Sequence, residues 1–205
     1  MLAFSSLLGN VEGQNIYRIW YDKPASYWEE ALPVGNGRIA AMVFGDPQLE
    51  QIQLNEETVS AGSPYQNYNE EAKTALPEMR RLIFEGKYEE AQNMAATKIL
   101  SQVGNEMPYQ TVGRLNIRYQ DHKKVNNYYR DLDISNAVAV ARYEVDGVEF
   151  TEETFASFTD QLVIRHIKAS KPGTINCELF FNTPMRDPKR SIYGKKGLRL
   201  EGITH

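Results

Sequence analysis

The sequence predicts a mainly β protein, an antiparallel β-sandwich interrupted by a helical insertion at about residues 70–100. Runs of alternating apolar and polar residues fill most of the chain, and glycine, proline and aspartate separate these runs as turns. One region shows the apolar spacing of helices instead. No linker or low-complexity run divides the chain, so residues 15–205 are expected to form one domain.

The clearest hairpin lies between two alternating runs, 137–145 and 148–155. Asp146 and Gly147 join them, and this pair is typical of a two-residue type I′ turn because both positions need a positive φ. The same pattern predicts further strands at residues 16–21, 38–44, 49–54, 161–167, 174–181 and from 198 onward.

The helical region contains two consecutive patterns. Residues 70–84 place Leu76, Met79 and Ile83 on one face, and Gly86 suits the end of this helix. Pro77 implies either a late start at Thr74 or a kink. Residues 87–100 repeat the helical spacing, and we expect the pair to cover one end of the sandwich.

Composition excludes several classes of function. The net charge is −4 and no stripe of Lys and Arg stands out, which argues against nucleic-acid binding. No stretch approaches the ~20 apolar residues of a membrane span. The single cysteine, Cys177, cannot form an intrachain disulfide and is expected to be a buried, inert thiol. Residues 1–14 are interpreted as a leader or a signal-peptide remnant.

The sequence contains none of the motifs that mark common active sites. It has no nucleophile elbow, no zinc-binding helix motif and no phosphate-binding loop, so neither a metal nor a cofactor is expected. Glycoside hydrolysis needs two opposed carboxyl groups. The adjacent acidic pairs at 29–30, 56–57 and 152–153 do not fit, because neighbours on a strand point to opposite faces. They are interpreted as solvated charges.

Aromatic residues leave two interpretations open. Trp20, Tyr21, Tyr27 and Trp28 cluster near the start of the chain. Flat rings stack on sugars, so these residues could form a carbohydrate-binding surface. Packing in a core or an interface is equally compatible with Trp20 and favoured for Trp28.

Residues 20–62 contain WYDKPASYWEEALPVGNGR, AMVFG and QLNEET, and this run strongly resembles the opening of glycoside hydrolase family 95, the α-L-fucosidases. Three later segments resemble the family in the same order: GNEMPYQTVG, YRDLDISNAVA and FASFTDQ. The resemblance covers nearly all of the chain from Tyr17 to about Leu200. Departures from the family pattern occur at Ser60, at Ala40-Ala41 and at Arg114.

The resemblance implies an antiparallel β-supersandwich followed by a helical linker, an (α/α)6 catalytic barrel and a small β domain. It also implies inverting hydrolysis of α-fucosyl linkages in fucosylated glycans. The family's catalytic groups belong to the barrel, so no catalytic residue is expected in this chain, which would be inactive alone and incomplete at its C-terminal end. Periplasmic or secreted localisation is implied for a bacterial member.

If residues of this chain contact sugar or a neighbouring domain, we expect them in the NEET segment, at Asn55, Glu56 and Thr58. Asn36 and Arg38 are second candidates, since short polar side chains at strand ends can aim hydrogen bonds at a ligand or a domain. Hydrogen bonds within turns or between domains are the alternative role. Two further hypotheses for the whole chain are a free-standing carbohydrate-binding module and a truncated remnant without activity.

Overall fold

The computed structural model describes residues 17–61, 67–101 and 108–204. The leader predicted at residues 1–14 lies outside the described residues. So do residues 62–66, which come after the NEET segment, and residues 102–107, which include the start of GNEMPYQTVG. The described chain forms two compact units. One comprises the residues up to Val59 together with Thr111–Ile203, and the other is built on Ser60–Gln110.

The first unit is antiparallel β structure, which confirms the predicted fold class. Its described strands are β1 (Arg18–Tyr21), β2 (Leu32–Gly35), β3 (Ile39–Val43), β4 (Leu49–Glu56), β5 (Gly113–Tyr119), β6 (Val125–Asp133), β7 (Val138–Val145), β8 (Val148–Ser157), β9 (Leu162–Ala169), β10 (Cys177–Asn182), β11 (Arg186–Tyr193) and β12 (Gly197–Ile203).

These strands form two five-stranded sheets and one hairpin. Sheet A has the order β1-β6-β7-β8-β9, and sheet B has the order β10-β5-β4-β3-β2. Strands β11 and β12 pair with each other as a separate two-stranded sheet. Across the sandwich, β2 packs against β6, β7 and β8, and β3 packs against β8 and β9.

The main core lies between the two sheets. Leu32, Val34, Ala41 and Ile52 from sheet B pack with Leu132 of β6 in one buried cluster. Alternate residues of each strand face this core, as the two-residue period of a strand requires. Cys177 packs against the core while partly buried, and burial raises the pKa of its thiol, in keeping with the predicted inert role.

The predicted hairpin is confirmed. Strands β7 and β8 pair with Val145 opposite Val148, and the two turn residues have positive φ, 49° at Asp146 and 75° at Gly147. The other predicted strands are also present, as β1, β3, β4, β9, β10 and β12.

Four strands were not predicted: β2, β5, β6 and β11. The sequence of β6 lacks the alternation of apolar and polar residues that predicts a strand, because its buried side chains include Arg130, Asp131 and Asp133. The Arg130 guanidinium donates to the carbonyl oxygens of Lys23 (2.7 Å) and Glu30 (2.8 Å). These hydrogen bonds allow a charged side chain to be buried at a strand position that is normally apolar.

The second unit confirms the predicted helical insertion with α1 (Ala72–Phe84) and α2 (Tyr88–Met94), which continues into a π-type turn, Ala95–Ile99. Helix α1 begins before Thr74 and runs through Pro77. Gly86 ends it at φ 77°, with Lys87 N donating to Leu82 O at 2.9 Å. The buried face of α1 carries Ala75 and Leu82 rather than Ile83, which is exposed.

Candidate functional site

The five predicted site residues come together at one end of sheet B. Asn36 and Arg38 lie in the turn between β2 and β3, and Asn55 and Glu56 form the end of β4. The β3–β4 register brings these segments side by side, with Ile39 opposite Glu56. Thr58 follows two residues after Glu56, and Glu57 N donates to Arg38 O at 2.9 Å.

Asn36 holds the β2–β3 turn and links it to sheet A. Its Oδ1 accepts hydrogen bonds from the backbone N–H groups of Arg38 (3.0 Å) and Ile39 (2.9 Å). Its Nδ2 donates to the carbonyl oxygen of Ser157 at the end of β8, at 2.8 Å. Asn36 is buried, so these bonds satisfy a side chain that has left water.

Glu56 organises the exposed part of the cluster. Its Oε2 accepts from the Thr58 hydroxyl at 2.6 Å and the Thr58 backbone N–H at 2.9 Å, and its Oε1 accepts from Arg38 Nε at 3.1 Å. The Thr58 hydroxyl, followed by its N–H and the Arg38 charge, lowers the pKa of the Glu56 carboxyl. The contacts of Glu56 therefore close the turn that follows β4.

Asn55 differs from the other four residues. Its Oδ1 is buried and has no hydrogen-bond partner. It faces a cleft of about 370 Å³ at the same end of the sandwich, whose walls are mostly apolar. Two further buried atoms without partners belong to residues that line this cleft, Gln161 Oε1 and Arg165 Nε. Unsatisfied buried polar atoms are uncommon in native proteins and need an explanation.

Sequence reasoning missed a buried ionic cluster that joins the two sheets. Arg165 of β9 lies between Glu50 of β4, at 2.6 Å, and Glu152 of β8, which it also contacts through Nη2. Glu50 is 0% exposed and Glu152 is 1% exposed. The interpretation of Glu152 as a solvated charge is therefore wrong, although it and Glu153 do lie on opposite faces of β8, since Glu153 is on the exposed side.

Further donors complete this cluster. Tyr143 donates to Glu152 Oε1 at 2.7 Å and Tyr119 donates to the same atom. Arg165 Nη1 donates to Thr154 Oγ1 at 2.7 Å. Burial raises the pKa of the Glu50 carboxyl, with Glu152 adding to the effect and Arg165 partly offsetting it. Burial also raises the pKa of the Tyr119 and Tyr143 hydroxyls, which remain neutral donors.

Two converging carboxylates invite comparison with a glycosidase pair. Glycoside hydrolysis requires the carboxyl groups to flank a sugar, with room for the sugar or for a water between them. Here Arg165 occupies the space between Glu50 and Glu152, and no sugar can reach either group in the closed core. The cluster is a structural element that neutralises buried charge.

Of the four aromatic residues clustered near the start of the chain, Tyr21 is partly buried against the main core and the other three are exposed. Trp20 is 60% exposed and stacks at 6.3 Å on Tyr129 of β6, while Tyr27 and Trp28 are also exposed. Core packing is therefore wrong for Trp20 and Trp28. A surface role, towards sugar or another domain, is compatible with their positions.

No group of three His, Cys, Asp or Glu side chains suited to a metal ion occurs within residues 17–61, 67–101 and 108–204. None of the helices in the same ranges is both long enough and apolar enough to cross a bilayer.

Comparison with known proteins identifies a family model and several longer relatives that match the chain. Residues 19–205 match the sequence model of the family described as "Glycosyl hydrolase family 65, N-terminal domain". The chain is 37% identical over 181 residues to Alpha-L-fucosidase 2 of Arabidopsis thaliana, which covers 85% of this chain and 21% of the relative.

Two fungal relatives are more distant. Probable alpha-fucosidase A of Aspergillus niger is 26% identical over 162 residues, covering 74% of this chain and 20% of the relative. Its Aspergillus oryzae counterpart is 24% identical over 174 residues, covering 80% of this chain and 23% of the relative. The chain thus spans about a fifth of the length of the curated relatives that it matches.

Proposed function

Because this chain belongs to the family of glycosyl hydrolase family 65 N-terminal domains, we propose that it is the non-catalytic N-terminal domain of an α-L-fucosidase of glycoside hydrolase family 95. The 37% identity with the Arabidopsis fucosidase supports this assignment. The relatives are longer than this chain, which supports the proposal that the domain belongs to a larger enzyme.

One observation carries the non-catalytic role. The converging carboxylates of the first unit, Glu50 and Glu152, are sealed in the core around Arg165. The carboxylate of the predicted site, Glu56, is partly buried and is bonded to Thr58 and Arg38. The acid and the base of the reaction are then supplied by another part of the enzyme, which we propose to be an (α/α)6 barrel. In this proposal the barrel hydrolyses α-fucosyl linkages of glycans with inversion.

In this role, Asn36, Arg38, Asn55, Glu56 and Thr58 act as structural residues that shape one end of the sandwich for the neighbouring domain. Asn36 ties the β2–β3 turn to Ser157, and Glu56 closes the segment after β4. We also propose that the enzyme acts in the periplasm or outside the cell, a location that the apolar, small-residue-rich start of the sequence supports.

The assignment is tested with a chromogenic α-L-fucoside. The isolated chain is expected to give no turnover, whereas a chimera that replaces the matched part of the Arabidopsis enzyme with this chain is expected to hydrolyse the substrate. The Arabidopsis enzyme without its first domain is the control for folding of the remainder. Turnover by the isolated chain would show that catalytic groups lie within it and would overturn the proposal, and loss of that turnover in Glu50→Gln would place them in the buried cluster.

The exposed ring of Trp20 favours a second candidate, a carbohydrate-binding module. Trp20 stacked on Tyr129 presents a flat, exposed ring to solvent. This function predicts fucoside binding by the isolated chain in calorimetry, lost in Trp20→Ala but retained in Tyr88→Ala, which removes an exposed ring from α2. A flat titration at millimolar fucoside excludes it.

A further inference from the structure

Sheet A ends at a strand whose outer edge is unpaired. Within the described residues, β9 pairs with β8 along Leu162–Ala169 and has no strand on its other side. An unpaired edge presents backbone N–H and C=O groups that can receive another strand. Leu162 is exposed at the start of this edge.

Sheet B extends beyond this edge. Strands β2 and β3 lie opposite sheet A, whereas β10 lies at the far side of sheet B. Leu179 and Phe181 of β10 lie opposite Ile117 and Leu115 of β5, so all four share the face that elsewhere forms the core. Ile117 is buried, but Leu179 is 46% exposed. The apolar face of sheet B is thus only partly covered.

The cleft described above lies where β9 stops covering sheet B. Leu162 and Val163 of β9 form one wall, and Leu54, Leu115 and Phe181 of sheet B line the rest. The three buried atoms without partners, on Asn55, Gln161 and Arg165, belong to the same lining. The cleft therefore combines an apolar surface with an open strand edge.

We propose that a β-strand from the polypeptide which the relatives carry outside the part matched by this chain adds to the edge of β9. Its backbone pairs with β9, and every second side chain, apolar, packs into the cleft on Leu115 and Phe181. This inference rests on the proposed function, since it takes the chain to be one domain of a longer enzyme.

Charge argues against a second copy of this chain as the occupant. Arg165 of β9 points inward and is neutralised by Glu50 and Glu152, whereas the exposed face of the strand carries His166 and Lys168 and no acidic residue. Two β9 strands paired edge to edge would bring these side chains close together, and like charges on facing strands destabilise the pair. A strand of different sequence avoids this repulsion.

Amide hydrogen exchange tests the proposal. In the isolated chain, the outward amides of β9 are expected to exchange rapidly at all protein concentrations. In the chimera with the Arabidopsis remainder, they are expected to exchange at least about tenfold more slowly. The amides of the central strand β7 serve as the internal standard for folding. Protection in the isolated chain that rises with concentration would show that a second copy fills the site and would overturn the proposal.

Matched edge variants sharpen the test. Leu162→Glu places a charge at the cleft, and in the chimera it is expected to restore rapid exchange in β9. Ile19→Glu places the same charge on β1, the opposite edge of sheet A, and is expected to leave β9 protected. Equal effects of the two variants would contradict the proposal.

Activity of the chimera is read separately. If the chimera hydrolyses fucoside but the β9 amides stay unprotected, the proposed function is supported and the strand pairing is refuted. If the amides are protected but there is no turnover, the strand pairing is supported and the result counts against the proposed function. If β7 itself is unprotected in the chimera, the intact Arabidopsis enzyme is labelled instead. Rapid exchange at its strand aligned with β9 would then overturn the inference.

Discussion

Glu50 Oε2 on β4 and Arg165 Nη2 on β9 lie 2.6 Å apart and join the two sheets across the core. The same nitrogen contacts Glu152, so one guanidinium serves two buried carboxylates. A buried pair of this kind adds little net stability when intact, but removing one partner leaves uncompensated charge in the core.

Arg165→Met is therefore expected to destabilise the fold by about 3–5 kcal/mol, because Glu50 and Glu152 then face each other without a cation. Chemical denaturation followed by circular dichroism measures the loss. Arg118→Met is the control, since Arg118 pairs with Glu178 on the surface and its removal should cost no more than about 1 kcal/mol. Equal losses in the two variants would contradict a core role for Arg165.

The pH dependence of stability should reflect Glu50. Burial raises the pKa of this carboxyl above its ordinary value of 4.5, so the folded protein binds the proton more tightly than the unfolded chain. Its contribution to stability is therefore present below pH 4.5 and is lost as pH rises through the raised pKa. Relative to Glu50→Gln, the wild type should lose stability over this window. Parallel stability profiles of the two proteins would contradict the assignment.

Asn36→Ala is expected to cost about 1–3 kcal/mol, because it leaves the backbone N–H groups of Arg38 and Ile39 and the carbonyl of Ser157 without their partner. Thermal or urea unfolding measures the change. Asn126→Ala, at an exposed position of β6, provides the control and should have little effect. A neutral Asn36→Ala would show that the link between the β2–β3 turn and β8 is dispensable.

Two glycines with positive φ should respond differently to alanine. At Gly147, φ is 75° and a Cβ would meet no atom within 4 Å, so Gly147→Ala should cost about 1–2 kcal/mol for the backbone conformation alone. At Gly113, φ is 136° and a Cβ would collide with the backbone of Asn182 on β10. Gly113→Ala should therefore destabilise the protein more and weaken the β5–β10 pairing. Similar unfolding midpoints for the two variants would refute this difference.

Sequence patterns predicted the features that depend on near neighbours. The Asp146-Gly147 turn, the glycine that ends α1 and the alternation of β7 and β8 are all local signals. The sequence singled out the NEET residues and, separately, Asn36 and Arg38 as polar groups at strand ends; that the two groups lie side by side follows from the β3–β4 register, which no local pattern reveals.

The features that were missed depend on distant partners. The sequence analysis interprets Glu152 as a solvated charge, because no local signal reveals that Arg165 will neutralise it. In the same way, nothing local indicates that Arg130 bonds to Lys23 or that Asp131 pairs with Arg18. Strand β11 carries Pro188 and exposed charges, so neither propensity nor alternation indicates it. The resemblance to a family supplied the proposed function, but it did not locate these contacts.

The Glu50–Arg165 contact spans 115 positions of the sequence, and this separation bears on synthesis. A ribosome delivers the hairpins of β2, β3 and β4 long before residue 165 emerges. Until then Glu50 has to stay hydrated, so the early hairpins cannot bury their apolar face around it. Closure of the sandwich is therefore a late event of translation, and the nascent N-terminal hairpins are the stage at which chaperones would be needed.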